Sequence, residues 1–168
     1  MSFTRRFSYF TDRLNLFLGF FSGLCVVCGA LLIAAEIASR LTFQKSLMVT
    51  EEYTGYLMAV SSFLGFGYVE ARRGHIRMDL IDMMTSRLPR VTRALRVFCY
   101  ILALLFSLYI TYVGYKLFDQ SVEYGSKSMQ ISETPLAIPQ FFVPLGGAAL
   151  FLQYLSNLLT YCAGESER

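Results

Sequence analysis

Residues 70–79, EARRGHIRMD, gather the side chains that could do acid–base chemistry. The segment contains His75, the single histidine among 168 residues. Its charged neighbours are Arg72, Arg73, Arg77 and Asp79. A catalytic base needs a reacting partner within hydrogen-bond reach, and a metal site usually needs several ligands. The segment offers neither a nucleophile–base pair nor a second histidine, so we do not expect catalysis here.

A second pattern with possible chemistry is CVVC at residues 25–28, which has the CxxC form of redox and zinc motifs. Both uses require accessible thiolates near polar partners. Here the two cysteines lie deep in an apolar stretch, which disfavours the charged form. We therefore expect Cys25 and Cys28 to act as small residues in helix packing, and Cys99 and Cys162 to be equally inert.

Several absences limit the chemistry further. The sequence has no metal-ligand cluster and no phosphate-binding loop, and one histidine cannot provide bis-histidine haem ligation. No charged residue or histidine lies in the middle of a long apolar run, although ion-coupled transport sites usually need such groups at depth. Gly146 and Gly147, after Pro144, form the one place where a broken helix could offer backbone carbonyls. We expect no cofactor, no enzymatic activity and no transport by this chain alone.

Composition determines the elements that must position these residues. The chain is 55% hydrophobic and 16% charged, whereas soluble domains carry about 25% charged residues. The apolar residues form runs close to the roughly 20 residues that cross a bilayer, and each run must be helical because lipid gives the backbone no other hydrogen-bond partner. The runs cover residues 14–35, 53–69, 97–115 and 141–162. The sequence predicts one all-α integral membrane domain, residues 1–168, with four transmembrane helices.

The first run could be mistaken for a signal peptide, because Arg5, Arg6 and Arg13 precede it. Its 22 residues exceed the usual apolar core of about 7 to 15 residues. We therefore expect an uncleaved membrane anchor.

The distribution of lysine and arginine predicts the orientation in the membrane. With four spans, the N-terminal segment, residues 70–96 and the C-terminal tail share one side. That side collects eleven of the 15 lysines and arginines, and seven of them lie in residues 70–96. Because positive residues accumulate on the cytoplasmic side, both termini should be cytoplasmic.

Residues 78–96, between the second and third runs, have a helical pattern. Their apolar residues recur every three or four positions and so share one helical face; they are Leu80, Ile81, Met84, Leu88, Val91 and Leu95. We expect a cytoplasmic-side interfacial amphipathic helix, and the alternative is a cytosolic helix packed on the bundle. Pro89 should bend this helix or open a second one as its first residue. The arginines expected among lipid phosphates are Arg87, Arg90, Arg93 and Arg96.

Polar and small residues in the runs indicate helix contacts. Gln153 and Asn157 are spaced four apart on one face of the last run, where polar side chains usually face protein. They could lock the bundle or bind a partner helix. We favour both uses over an ion site, because no acidic residue accompanies them. Gly19 and Gly23 form a GxxxG pattern, and Gly65 adds a small position in the second run.

Several segments together resemble the small membrane subunit of tripartite ATP-independent periplasmic (TRAP) transporters, the DctQ-like family. They are Glu51-Glu52 at the start of the second run, SSFLGFGYVEA at 61–71, RRGHIRMD at 72–79, and TPLAIPQFFVPLGGAALFL at 134–152. The layout of four runs with an amphipathic segment between the second and third also matches, and the resemblance covers nearly the whole chain.

The resemblance implies a scaffold subunit of the bacterial inner membrane. The partner would be a large elevator-type permease that carries the sodium and substrate sites. A periplasmic substrate-binding protein would deliver an organic acid, such as a dicarboxylate, sialic acid or a related sugar acid. Membrane phospholipids are the other expected partners, and no nucleic acid is expected.

Two sets of site residues follow. The candidates for contacts within the bundle or with the large subunit are Gly65, Arg72, Arg73, Gly74, His75, Arg77, Asp79, Gln153 and Asn157. By position and charge, the candidates for docking the binding protein are Arg40, Lys45, Glu51, Glu52, Lys127 and Glu133. Gly74 suits the turn from a crossing helix into an in-plane one, and Asp79 suits the first turn of the next helix.

Two other classes of function compete with this one. A membrane-anchor subunit of a redox enzyme would usually supply axial histidines within its spans, and this chain has none there. A self-contained small exporter would need a buried carboxylate in a span, and none is visible.

We predict that His75→Ala lowers assembly or stability before it changes substrate affinity, because His75 is expected to cap a helix end or bond to the neighbouring subunit. Complex yield and substrate affinity, measured side by side, check this. A changed affinity with intact assembly would refute it.

Overall fold

The computed structural model describes residues 3–44, 46, 48–72, 89–130 and 132–163. This part of the chain forms four α-helices and no strand, which confirms the all-α prediction. They are α1 (Phe3–Phe43), α2 (Thr50–Ala71), α3 (Pro89–Glu123) and α4 (Ala137–Cys162). An isolated antiparallel bridge between Lys127 and Pro135 lies in the connection from α3 to α4.

Three of these helices are long and apolar enough to cross a membrane, namely Thr4–Phe43, Val91–Glu123 and Ala137–Cys162. The 22 residues of α2 would extend about 33 Å, slightly more than the roughly 30 Å of hydrocarbon in a bilayer. However, α2 includes glycines and serines in its middle and carboxylates near both ends, so it is less apolar than the other three. The crossing of α2 therefore remains a prediction.

The two longest helices extend well beyond the predicted spans. The 41 residues of α1 correspond to about 60 Å, roughly twice the hydrocarbon thickness. Residues 89–96 continue without interruption into α3, because residues 90–113 contain neither glycine nor proline. Residues 89–96 therefore belong to α3 and not to a separate helix, and α3 begins at Pro89, which is one of the two outcomes expected for this proline. Residues 78–88 lie outside the described residues.

The helix α4 is the centre of the bundle. It packs against each of the other three helices, and α1 and α2 also pack along each other. Among the described residues, α3 makes helix contacts with α4 alone. The fold is thus a three-helix core of α1, α2 and α4, with α3 attached to one side of α4.

Two consecutive glycines let α4 approach two neighbours closely. A Cβ at Gly146 would collide with the backbone carbonyl oxygen of Phe63 in α2, and a Cβ at Gly147 would lie 2.7 Å from Oγ1 of Thr111 in α3. Pro144 lies inside α4, which remains continuous through both glycines. The broken helix considered for this place is not observed. The two glycines instead allow close packing of α4 against α2 and α3.

Small residues have a similar function between α1 and α2. A Cβ at Gly19 would lie 2.5 Å from Cγ of Tyr68, whereas a Cβ at Gly23 would meet no atom within 4 Å. Only the first glycine of the GxxxG pattern therefore lies in the α1–α2 contact. The hydroxyl of Ser22 donates to the backbone carbonyl of Ser61 at 2.7 Å, and a Cβ at Gly65 would lie 3.0 Å from the same hydroxyl.

The buried apolar core lies where the three central helices meet. It consists of Leu18, Val60, Leu64 and Ala149, with Leu14, Cys25 and Phe142 packed against it. Cys25 thus has the packing role expected from the sequence, whereas Cys28 is exposed.

Replacement of Gly146 by alanine should destabilise the bundle by about 1–3 kcal/mol, because the neighbouring backbone of α2 cannot move aside as a flexible side chain could. Unfolding by a denaturing detergent, followed by circular dichroism, measures the change. Gly23→Ala is the matched control: it should be neutral or stabilising, since alanine is favoured over glycine in a helix by about 1 kcal/mol. Equal stability of the two variants would contradict the packing described for Gly146.

Candidate functional site

Polar side chains cluster at the end of the bundle where α1 begins and α4 ends, which we call the near end. Gln153 of α4 is 1% exposed. Its Oε1 accepts a hydrogen bond from Nδ2 of Asn15 at 2.7 Å, and its Nε2 donates to Oδ1 of Asp12 at 2.8 Å. The same Nε2 lies 3.3 Å from Oδ1 of Asn157, one turn further along α4. One amide of α4 is thus bonded to two residues of α1.

The cluster continues to α2 through Asn157. Its Nδ2 donates to Oε1 of Glu70 at 2.8 Å, and Glu70 is buried. We call Asp12, Asn15, Glu70, Gln153 and Asn157 the amide cluster. It joins all three core helices, and its amides donate in sequence toward the two carboxylates, which as anions can only accept. The carboxylates therefore determine the orientation of every amide in the cluster.

Close approach of α2 to α1 completes the site. Asn15 is fully buried, and its Oδ1 has no hydrogen-bond partner among the described atoms. A Cβ at Gly67 would collide with this oxygen. A side chain at position 67 would therefore displace Asn15, which is fully buried and bonded to Gln153.

The amide cluster corrects one expectation from the sequence. Gln153 and Asn157 were expected to have no acidic companion, and this is wrong, since Asp12 and Glu70 each accept a hydrogen bond from one of them. Both carboxylates lie just outside the apolar runs of other helices, so the run that contains the amides did not show them. Of the two uses considered for Gln153, the structure shows contacts within the chain's own bundle.

The chemistry of the amide cluster is structural. Among the described residues, no group of three or more His, Cys, Asp or Glu side chains could hold a metal ion. Each neutral hydrogen bond contributes about 0.5–1.5 kcal/mol net, and bonds to charged groups contribute more. The cluster is thus suited to fixing the positions of three helices relative to one another.

A second polar centre, at Glu36, lies at the opposite end of the bundle, which we call the far end. The buried carboxylate of Glu36 accepts from Nε of Arg40 at 2.6 Å and from Oγ of Ser46 at 2.8 Å. It also accepts from Oγ1 of Thr50 at 3.0 Å. These contacts tie the last turns of α1 to the first turn of α2 and close the short connection between them.

Glu52, at the start of α2 and before the predicted span, holds the connection between α3 and α4. Its buried carboxylate accepts hydrogen bonds from the hydroxyls of Ser132 and Tyr56. The Ser132 hydroxyl, and after it that of Ser128, holds the pKa of Glu52 below its usual value, although burial acts in the opposite direction. Glu52 therefore remains ionised at neutral pH, and its contribution is lost as the pH falls through the lowered pKa.

The predicted docking residues at the far end divide into exposed and buried groups. The side chains of Arg40, Lys127 and Glu133 are exposed, and Lys127 Nζ lies 3.3 Å from Oε2 of Glu133. Glu51 is exposed, whereas Glu52 is buried and serves the chain's own fold. Lys45 lies outside the described residues.

The predicted residues at the near end are only partly described. Arg72 lies over the ring of Tyr68 at 5.7 Å, and Arg96 lies over the ring of Tyr161 at 5.4 Å. Arg93 is exposed on α3. The backbone of Arg90 is helical, and its side chain is outside the described part. The predicted residues that lie wholly outside it are Arg73, Gly74, His75, Arg77, Asp79 and Arg87.

Sequence reasoning missed the partners that make these centres. These partners are single carboxylates at the edges of apolar runs, namely Asp12, Glu36 and Glu70. Each accepts a hydrogen bond from a residue of another helix. Their position at the ends of the runs was the one indication, because polar residues at the ends of several spans lie at the same depth in the membrane and can contact one another.

The comparison with protein families gives one match. The family model for the DctQ component of tripartite ATP-independent periplasmic transporters matches residues 29–163. This range includes α2, α3, α4 and residues 29–43 of α1. A comparison with individual curated proteins gave no match.

Substitution of Gln153 by leucine should destabilise the bundle by about 1–3 kcal/mol, because Asn15 and Asp12 would remain in place without their partner. Detergent-induced unfolding measures the loss. Gln140→Leu is the matched control on the same helix, since Gln140 Oε1 is buried and has no hydrogen-bond partner among the described atoms. If the two variants lose equal stability, the amide cluster does not hold the helices together.

Proposed function

The chain belongs to the DctQ component family of tripartite ATP-independent periplasmic transporters, and we propose that, as their small permease subunit, it scaffolds the large elevator-type permease subunit. The observation that carries this proposal is the family match over most of the chain. The known components of such a transporter are this subunit, a large permease and a substrate-binding protein. The chain acts without enzymatic chemistry of its own.

The packing of the bundle supports a scaffold. Buried polar side chains are used to hold the core helices to one another, which favours a rigid unit. Outward faces of α1 and α3 remain apolar, with large exposed side chains such as Phe20, Leu31, Phe106 and Tyr109. Because α3 packs only against α4 among the described residues, its remaining faces are available for lipid and for the large subunit.

We further propose that the near end is cytoplasmic and the far end periplasmic, in the bacterial inner membrane. Arg13 directly follows Asp12 and Arg72 lies two residues after Glu70, and Arg96 lies near the end of α4 through its contact with Tyr161. Positive residues on this side fit the rule for cytoplasmic segments. The layout then has four crossings, including α2, within one membrane domain.

We also propose roles for further residues at the near end. An interfacial segment over residues 78–88, with Arg87, would contact lipid headgroups, as would Arg90 at the start of α3. Contacts with the large subunit would come from Arg73, Gly74, His75, Arg77 and Asp79, whereas Gly65 serves the contact between α1 and α2. Arg93 and Arg96 extend the basic surface along α3.

At the far end, we propose that the subunit helps to dock the substrate-binding protein during sodium-coupled uptake of an organic acid. The exposed charges available for this contact are Arg40, Glu51, Lys127 and Glu133, with Lys45 beside them in sequence. The alternative function, a membrane anchor of a redox enzyme, has no support from the family match.

Isolation of the tagged chain from its native membrane should bring down a large multi-span permease in equal amount, identified by mass spectrometry. Deletion of the chain should abolish sodium-dependent uptake of the organic acid, and expression of the chain from a plasmid should restore it. Intact uptake without the chain, together with purification of the chain alone, would contradict the proposed function.

A further inference from the structure

The connection between α3 and α4 lies at the far end, and we call its described residues, 124–130 and 132–136, the α3–α4 loop. The backbone N–H of Ser128 donates to the carbonyl of Thr134 at 2.9 Å, and the N–H of Leu136 donates to the carbonyl of Ser126 at 3.0 Å. Gly125 has a φ of 57°, which suits glycine at the turn out of α3. Backbone pairing of this kind gives the loop a defined shape.

The same loop is fixed to the start of α2. The hydroxyl of Ser132 bonds to the buried carboxylate of Glu52, and Oγ of Ser132 lies 2.8 Å from Oγ1 of Thr134. The Thr134 hydroxyl is also 3.1 Å from the hydroxyl of Tyr53. The loop is thus held both by its own backbone and by two side chains of α2.

This preorganised loop presents apolar side chains to solvent. Met129 at its tip is fully exposed, and Tyr124 at its base is 76% exposed. Other large apolar residues are exposed at the same end, in the last turn of α1 and the connection that follows it: Leu41, Phe43 and Met48. Exposed apolar groups held on a rigid support and rimmed by charges of both signs are typical of protein docking surfaces.

The position of the loop favours a water-soluble partner over lipid. Charged residues occupy the last turns of α3, namely Lys116, Asp119 and Glu123. The helix rises by about 10 Å over the seven steps from Lys116 to Glu123. The α3–α4 loop begins beyond this charged segment and therefore stands above the apolar layer, in water.

We propose that the α3–α4 loop is a preorganised docking element for the transporter's substrate-binding protein, with Met129 as its apolar anchor. Glu52 is the positioning residue, because it holds the loop in shape without facing solvent. This inference rests on the proposed function and assigns the docking contact to particular residues. Preorganisation matters because a loop that is already ordered loses less conformational entropy on binding.

The test uses the complete transporter in liposomes, with sodium-driven uptake measured over a range of binding-protein concentrations. Met129→Ser should raise the half-saturating concentration of binding protein about tenfold, as expected for the loss of an interface anchor. The maximal uptake rate and the yield of the complex with the large subunit should not change. Met129→Leu, which keeps an apolar side chain, should restore the half-saturating concentration.

Two further variants separate the roles. Glu52→Gln should also raise the half-saturating concentration, and cross-linking or proteolysis should show a loosened loop. Met58→Ser is the matched control, since Met58 is also exposed, at 71%, but lies in the middle of α2. It should leave the dependence on binding-protein concentration unchanged.

The outcomes distinguish the two levels of inference. If Met129→Ser leaves the half-saturating concentration unchanged in an assembled, active transporter, the docking element is wrong and the scaffold function stands. If the wild-type chain forms no complex with a large permease, the proposed function fails and the docking proposal fails with it.

Discussion

The amide of Gln153 is the contact on which the arrangement of the core helices depends. It is buried in α4 and bonds to Asp12 and Asn15 of α1, while Asn157 extends the contact to Glu70 of α2. In an apolar environment such groups are costly if left unpaired, so the bonded arrangement is favoured over alternatives in which the helices slide or rotate. The apolar side chains of the core do not provide this specificity, because lipid satisfies them equally well.

Close packing and polar contacts reinforce each other in this bundle. A side chain at position 67 would displace Asn15, and Gly146 and Gly147 bring α2 and α3 against α4. At the far end, Glu36 joins α1 to α2, and Glu52 joins α2 to the α3–α4 loop. Each end of the bundle is therefore fastened by carboxylates, and the apolar middle is fastened by small residues. Such a unit is suited to bracing a moving partner.

The sequence predicts the helices much better than their contacts. Apolar runs must be helical in lipid, so the approximate positions of all four elements follow from composition. The long extension of α3 could have been anticipated from the absence of glycine and proline in residues 90–113. The amide cluster could not have been anticipated, because Asp12 and Glu70 lie far from Gln153 in sequence. The sequence also does not show which faces of the helices pack together. Ser132 likewise gives no sign that its hydroxyl reaches Glu52, 80 positions earlier.

If the core is a static scaffold, the distance between α1 and α4 does not change during transport. Spin labels on the exposed positions Phe10 of α1 and Leu159 of α4 would report the distance between the two helices at the near end, across the amide cluster. In the assembled transporter, one narrow distance distribution should persist with and without sodium and substrate, while a label pair on the large subunit shifts. A distance between α1 and α4 that changes with sodium or substrate would contradict the account.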